Sequence, residues 1–156
     1  MQLKDEQDII ELIMRIFPKP KKIVEVGVGK QPEIAVKLAE KLPETEIIVT
    51  DINTQIIQQL KQRYPQIKFE KDDITRPNIK LYQNSDLIYS IRPPPELTPY
   101  LLKLAKKVGA TLIIRPLSSE TYEIQTMLEK SKVTYFKKTT LIIVPSKTKM
   151  HENEGS

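Results

Sequence analysis

Two glycines and a carboxylate stand together early in the chain, where a ligand could reach the backbone. Residues 24–29 read Val-Glu-Val-Gly-Val-Gly, between a β-forming run and a helix-forming segment. Gly27 and Gly29 would let the chain turn tightly and let a ligand approach without a Cβ in the way. The N–H groups and positive dipole at the start of the following helix would favour a polar or anionic part of that ligand.

Acids follow the next two β-forming runs. Asp51 comes directly after residues 46–50, and Asp73 follows residues 67–70 in a Lys-Asp-Asp-Ile turn. An acid at the end of the second strand can accept hydrogen bonds from both ribose hydroxyls of an adenosine. Asp72 is interpreted as a cap of the turn. The pattern predicts an adenosine-type ligand at the ends of the first three strands.

Glu25 distinguishes between adenosine ligands. In a dinucleotide-binding motif the third glycine would fall at Pro32, and an acid at position 25 would repel a pyrophosphate. A carboxylate there can instead hold the ammonium group of a methionine moiety, directly or through water. We therefore expect S-adenosylmethionine to bind more tightly than NAD.

Residues 25–29 resemble the first motif, E/D-x-G-x-G, of class I S-adenosylmethionine-dependent methyltransferases. In this resemblance Asp51 matches the second-strand acid and Asp73 the third-strand acid that binds the adenine amino group. The resemblance extends over residues 22–145 and implies S-adenosylmethionine as the cofactor. The segments VEVGVG, DLIYSIRPPPEL and LIIRPLSSE are also similar to the archaeal uncharacterised protein family 0146, which implies the same fold but no particular reaction.

Two arginines end the fourth and fifth predicted strands. Arg92 and Arg115 are each followed by proline, and adjacent parallel strands would bring them to one sheet edge. Two guanidinium groups there suit a carboxylate or phosphate substrate. In the alternative interpretation, each arginine pairs with an acid close in sequence, Glu96 or Glu120.

The catalytic residues are left open among four candidates: Arg92, Glu96, Arg115 and Glu120. Methyltransferases that act on amino groups of nucleobases carry Asp or Asn, then Pro-Pro-aromatic, at the end of the fourth strand. Arg92 stands in that accepting place, and arginine has only donors. We therefore exclude amino-group methylation of nucleobases and expect a small anionic acceptor. Tyr82, Tyr89 and Tyr100 are interpreted mainly as core residues.

The elements that would position these residues alternate between β-forming runs and helix-period segments. This alternation predicts a doubly wound, mostly parallel α/β sheet in a single Rossmann-like domain over residues 1–156. Residues 1–17 form the first helix in this prediction, and residues 147–156 a disordered tail. Val133–Pro145 predicts one or two antiparallel edge strands. The other predicted strands are 22–26, 46–50, 67–70, 87–91 and 111–115, and the later helices include 97–108 and 119–130.

Composition excludes several kinds of site. The 156 residues contain no cysteine, which excludes disulfides, thiolate metal sites and cysteine nucleophiles, and the one histidine predicts no metal site. No apolar run approaches the roughly 20 residues that cross a bilayer, and the amino terminus is charged, so we expect a cytoplasmic protein.

Three functions remain open on the sequence. The first is methyl transfer to an anionic acceptor. The second is a non-catalytic protein that binds an adenosine ligand or a partner, favoured because a short chain leaves no room for a lid or substrate domain. The third is an RNA-binding accessory protein, supported by the net charge of +5 and by four lysines near the end of the chain, Lys137, Lys138, Lys147 and Lys149.

Overall fold

The structure is a computed structural model that describes residues 4–27 and 32–147. In these ranges the strands are β1 (Lys22–Val26), β2 (Glu46–Asp51), β3 (Lys68–Lys71), β4 (Leu87–Ile91), β5 (Thr111–Arg115), β6 (Lys132–Phe136) and β7 (Thr139–Val144). The helices are α1 (Glu6–Ile16), α2 (Glu33–Lys41), α3 (Thr54–Arg63), α4 (Thr98–Val108) and α5 (Thr121–Met127).

The described strands form one sheet in the order β3-β2-β1-β4-β5-β7-β6. β1 to β5 are parallel, and β7 runs antiparallel to both β5 and β6. The predicted doubly wound, mostly parallel sheet is therefore confirmed. The carboxyl-terminal segment forms two strands rather than one, because the chain reverses between Phe136 and Thr139, where Lys137 takes a φ of +52°.

The order of the strands places a crevice at the end of β1. β1 pairs with β2 on one side and with β4 on the other. The strands that follow β1 are therefore added first on one side of it, as β2 and β3, and then on the other side, as β4 and β5. In open α/β sheets, ligands bind in the crevice at the carboxyl ends of the strands where the order reverses. Gly27, directly after β1, lies at this position.

Two apolar layers cover the faces of the sheet. Alternate residues of β1 face opposite ways: Ile23 packs with α1, α2 and α3, whereas Val24 packs with α4 and α5. All five residues of β1 are buried, which explains why the sequence shows an apolar run without polar alternation. The helices thus hold β1 rigidly from both sides, up to the residue before the glycine turn.

The helix ends follow the local chemistry of the sequence in most places. The Asn53 side chain accepts the N–H of Ile56 at 3.1 Å and opens α3, and Gly109 closes α4 with a φ of +74°. α5 is shorter than the predicted 119–130, because residues 118–120 form a 3₁₀ turn and the chain turns again at Lys130, where φ is +62°. The predicted tail falls mostly on residues 148–156, outside the described residues.

Candidate functional site

Gly27 follows β1 at the carboxyl edge of the sheet. Its N–H donates to the Thr50 carbonyl at 2.8 Å, which ties the end of β1 to β2. Its φ of +77° lies in the left-handed region that glycine tolerates best. A Cβ built at this position would meet no atom within 4 Å among the described residues, so the space above the glycine is open. Gly29 lies outside the described residues.

Glu25 is a buried acid two residues before Gly27. The register of β1 and β4 places it opposite Tyr89, whose hydroxyl donates to Glu25 Oε1 at 2.6 Å. Burial raises the pKa of Glu25 to about 8; the Tyr89 hydrogen bond opposes this rise, and the nearby carboxylates of Glu33 and Asp51 add to it. Glu25 Oε2 accepts no hydrogen bond from the part of the chain that is described.

Tyr89 was interpreted from the sequence as a core residue, and that interpretation missed its polar contact. The residue is fully buried, so its ring does pack in the core. The contact could have been expected because buried tyrosine hydroxyls usually find a hydrogen-bond partner. β4, which carries Tyr89, is adjacent to β1, which carries the buried acid Glu25.

Asp51 is the last residue of β2, beside the glycine turn. Its Oδ1 accepts the N–H of Asn53 at 2.9 Å, and its backbone carbonyl accepts the N–H of Asp72 at 3.0 Å. The next residue, Ile52, is 63% exposed. An exposed isoleucine next to a strand-end acid offers an apolar surface to a flat ring, and sequence reasoning missed it. Its signal was an apolar residue in a turn, where polar residues are usual.

The two acids after β3 have different partners. Asp73 Oδ1 accepts the N–H and the hydroxyl of Thr75 at 2.9 and 2.7 Å, and these bonds hold the pKa of Asp73 below its usual value. Asp73 Oδ2 has no hydrogen bond from the described residues. Asp72 accepts the N–H of Asn78 at 3.0 Å and the hydroxyl of the buried Tyr82 at 2.5 Å. Asp72 therefore holds the turn through both of its oxygens, whereas the described hydrogen bonds to Asp73 use only one.

Arg115 is engaged within the protein. Its Nε and Nη2 donate to the two carboxyl oxygens of Asp5 at 3.1 and 3.2 Å, and its Nη1 donates to the Pro116 carbonyl at 2.8 Å. Asp5 is 3% exposed and stands immediately before α1. Burial would raise the pKa of Asp5, but the hydrogen bonds and charge of Arg115 outweigh burial and hold the pKa below its usual value.

This pairing corrects the expectations for Arg115. The Arg115 guanidinium, which was expected to bind a substrate anion or to pair with Glu120, is instead paired with the carboxylate of Asp5. The distance in sequence between α1 and β5 explains why no local pattern indicated the pair. Glu120 forms no ion pair within the described ranges.

Arg92 is the arginine that keeps its side chain available. The backbone N–H of Arg92 donates to the backbone carbonyl of Arg115 at 2.6 Å. The φ of Arg92, +50°, is left-handed, which is uncommon for a residue with a side chain. The half-buried guanidinium makes no hydrogen bond or ion pair with any described residue, so the expected pairing with Glu96 does not form. Glu96 itself is exposed.

The lysines that suggested RNA binding are only partly available. The Lys137 side chain contacts Glu11 Oε2 at 2.6 Å, and the backbone N–H of Lys138 donates to Asp8. Both contacts hold the β6–β7 hairpin against α1. Lys147 is exposed, and Lys149 lies outside the described residues.

Among residues 4–27 and 32–147, no three histidine or acidic side chains come together in a group that could hold a metal ion. The helices in these ranges are all too short or too polar to cross a membrane.

Comparison with protein families gives one match over most of the chain. The model of the Uncharacterised protein family (UPF0146) matches residues 7–144. The chain belongs to this family. A UPF0146 protein of Methanocaldococcus jannaschii is 44% identical over 133 residues, which cover 83% of this chain and 93% of that protein. A UPF0146 protein of Pyrococcus furiosus is 43% identical over 115 residues, covering 72% and 82%.

Solved structures of methyltransferases share the fold. A putative S-adenosylmethionine-dependent methyltransferase of Methanococcus maripaludis has a TM-score of 0.69 at 13% identity, covering 88% of this chain and 83% of that one. An RNA methyltransferase of Salinibacter ruber in complex with S-adenosylhomocysteine has a TM-score of 0.65 at 9% identity, covering 93% and 94%. At these identities the likeness shows the fold, and it confirms a class I methyltransferase-like Rossmann fold for this UPF0146 protein.

Proposed function

We propose that this UPF0146 protein binds S-adenosylmethionine at the carboxyl ends of β1, β2 and β3 and transfers its methyl group to a small anionic acceptor. The observation that carries the proposal is the left-handed Gly27, with open space where a Cβ would stand, two residues after the buried acid Glu25. The fold of the structural neighbours supports a cofactor of this kind.

The described residues fit the parts of this cofactor. Glu25 Oε2 would receive the ammonium group, and the open space at Gly27 would admit the methionine moiety beside the backbone. Asp51 would accept the ribose hydroxyls, and Asp73 Oδ2 would accept the adenine amino group. The exposed side chain of Ile52 would cover one face of the adenine. Gly29, predicted for the same turn, stays a prediction.

The cofactor supplies a methyl group already activated by its sulfonium, so the protein has mainly to position an acceptor. Arg92 is the residue we assign to that task, because it is half-buried and its guanidinium makes no hydrogen bond or ion pair with a described residue. A carboxylate or phosphate of the acceptor would supply the missing partner in bidentate form. Glu96 and Glu120 stay candidates for the catalytic base.

A calorimetric titration tests the cofactor. The protein is titrated in parallel with S-adenosylmethionine, S-adenosylhomocysteine and NAD. We expect both adenosyl amino acids to bind more tightly than NAD, because an ammonium group can replace the proton of Glu25, whereas the pyrophosphate of NAD brings no cation to this acid. NAD binding as tight as either of them would overturn the proposal.

A second candidate is a non-catalytic protein that binds the same ligand. The observation that favours it is the Arg115–Asp5 pair, which removes one of the two arginines expected to bind a substrate. Transfer of labelled methyl groups to a set of small carboxylates and phosphates separates the two: binding without transfer to any of them favours the second. RNA binding that weakens steeply with salt would instead favour the accessory-protein alternative.

A further inference from the structure

We propose that Glu25 and Tyr89 form a proton-releasing receptor for the ammonium group of the cofactor. In this proposal Glu25 is a neutral acid in the empty site and gives its proton to solvent when the ammonium group arrives. Tyr89 is a positioning residue that sets the pH at which the exchange occurs. The inference rests on the proposed function and adds to it how the cation is recognised.

The geometry of the pair is fixed by the sheet. Glu25 and Tyr89 are partners in the parallel register of β1 and β4, and their side chains lie on the sheet face covered by α1 and α2. Glu25 is 3% exposed, Tyr89 is fully buried, and the hydroxyl-to-carboxyl distance is 2.6 Å. Tyr89 therefore fixes Oε1 of Glu25 and leaves Oε2 without a described hydrogen bond. Glu25 itself lies two residues before Gly27.

The charges around Glu25 favour a neutral acid while the site is empty. The described groups that act on it are Tyr89 of β4, Glu33 of α2 and Asp51 of β2, and none of these is a cation. The charged groups of α1 and β5 at this edge are paired with other partners, in Asp5–Arg115 and Glu6–Lys37. Arg92, which follows β4 at the same edge, is not among the groups that shift the pKa of Glu25. A buried carboxylate without a cation is costly, and the group keeps its proton instead.

An arriving ammonium group reverses this balance. It supplies a cation next to Glu25, where the described residues that act on this acid include none, and so favours the carboxylate. An α-amino group has a pKa of about 7.7–8.0, so near pH 7 the ligand arrives already charged. The carboxyl O–H bond breaks, its proton passes to the buffer, and the complex holds a carboxylate against an ammonium group. Each binding event near pH 7 therefore releases close to one proton.

Calorimetry near pH 7 in phosphate and in imidazole measures this proton directly, since the two buffers differ in ionisation enthalpy. With S-adenosylmethionine or S-adenosylhomocysteine we expect close to one proton released. With 5′-methylthioadenosine, which has the nucleoside but no ammonium group, we expect none. The Glu25→Gln variant should bind the adenosyl amino acids more weakly and release no proton.

Tyr89→Phe separates a positioning role from a structural one. The hydroxyl lowers the pKa of Glu25, so its removal should raise that pKa further. Affinity should be greatest at a pH between the pKa values of Glu25 and of the ligand's amino group, so this optimum should move to higher pH in the variant. A merely structural tyrosine would weaken binding equally at every pH. Tyr135→Phe, at a side chain that is 78% exposed on β6, is the matched control and should change nothing.

A ligand-free measurement separates this proposal from the proposed function. The unfolded chain loses the Glu25 proton near the ordinary pKa of 4.5, whereas the folded chain keeps it up to about 8. Wild-type stability should therefore fall, relative to Glu25→Gln, as the pH rises between these values. A stability difference between the wild type and Glu25→Gln that does not change with pH would overturn the receptor, even if the cofactor binds. Equal proton release by the two proteins would overturn it as well. Failure of both adenosyl amino acids to bind overturns the proposed function and the receptor with it, while the stability difference still reports the buried acid.

Discussion

The two halves of the carboxyl edge use their charged residues differently. At the ends of β1 and β3, Glu25 and Asp73 each accept hydrogen bonds on one oxygen and keep the other without a described partner. At the end of β5, Arg115 places three of its N–H groups on Asp5 and on the adjacent carbonyl. Arg92, one strand away, has no side-chain partner in the described ranges.

The difference teaches that position at a sheet edge and availability to a ligand are separate properties. Topology brings the carboxyl ends of the parallel strands β1 to β5 to the same edge, and both halves obey that rule. Whether the side chain is then available depends on what other elements place against it. α1 places Asp5 on Arg115, whereas the described hydrogen bonds to Glu25 and Asp73, from a tyrosine and from a threonine, occupy a single oxygen of each acid.

The largest effect is expected from Arg115→Met. This variant leaves the carboxylate of Asp5 buried without its cation, and removal of one partner from such a pair costs about 3 kcal/mol of unfolding free energy. Urea unfolding measures the loss. Arg15→Met, which breaks the exposed Arg15–Glu11 pair, is the matched control and should cost less than about 1 kcal/mol. Equal losses in the two variants would show that Arg115 is not a structural residue.

The pH dependence of stability tests the same pair. Arg115 depresses the pKa of Asp5 in the folded protein, so the resulting stability is present above the ordinary value of 3.8 and is lost as the pH falls through the folded-state pKa. The double variant Asp5→Asn/Arg115→Met should lack this acid-dependent loss. A wild type and double variant that lose stability in parallel below about pH 4 would contradict the assignment.

Asp51→Ala tests the first half of the edge. Two charge-assisted hydrogen bonds to the ribose are each worth on the order of 1.5–3 kcal/mol, so the affinity for S-adenosylmethionine should fall at least tenfold. The fold should survive, as judged by circular dichroism. Glu40→Ala, at an exposed acid on α2, is the control and should bind as the wild type does. Unchanged affinity in Asp51→Ala would make that acid structural.

A matched pair of glycines tests the turn at the end of β1. Gly27 and Gly109 have φ values of +77° and +74°, so alanine at either position should cost about 1–2 kcal/mol of stability. Gly109 ends α4 at the opposite edge of the sheet, whereas Gly27 faces the open space of the proposed site. Calorimetry should show lost cofactor affinity in Gly27→Ala and none in Gly109→Ala. An equal loss of affinity in both would point to a general effect of destabilisation.

The sequence predicted what depends on local chemistry and on the regular geometry of the sheet. β1, β4 and β5 have the predicted bounds, and Asp51 lies at the end of β2 as expected. The Asp5–Arg115 pair was not predictable, because it joins residues 110 positions apart and neither has a periodic signal. The Glu25–Tyr89 contact depends on the register between β1 and β4, which an apolar pattern does not specify when both strands are buried on both faces.

The smallest effect is expected from Arg92→Gly. A left-handed φ costs a residue with a side chain about 1–2 kcal/mol, and glycine removes this strain. Because glycine also loses more conformational entropy on folding, the net increase in the free energy of unfolding should be no more than about 1 kcal/mol. Lys130→Gly, at a φ of +62° on an exposed residue without a described side-chain partner, is the matched control and should gain a similar amount. Urea unfolding measures both, and methyl-transfer assays should show lost acceptor use in Arg92→Gly but not in Lys130→Gly. A destabilised Arg92→Gly would show that the guanidinium stabilises the folded chain, and Arg92 would then join Arg115 as a structural residue rather than remain the acceptor's partner.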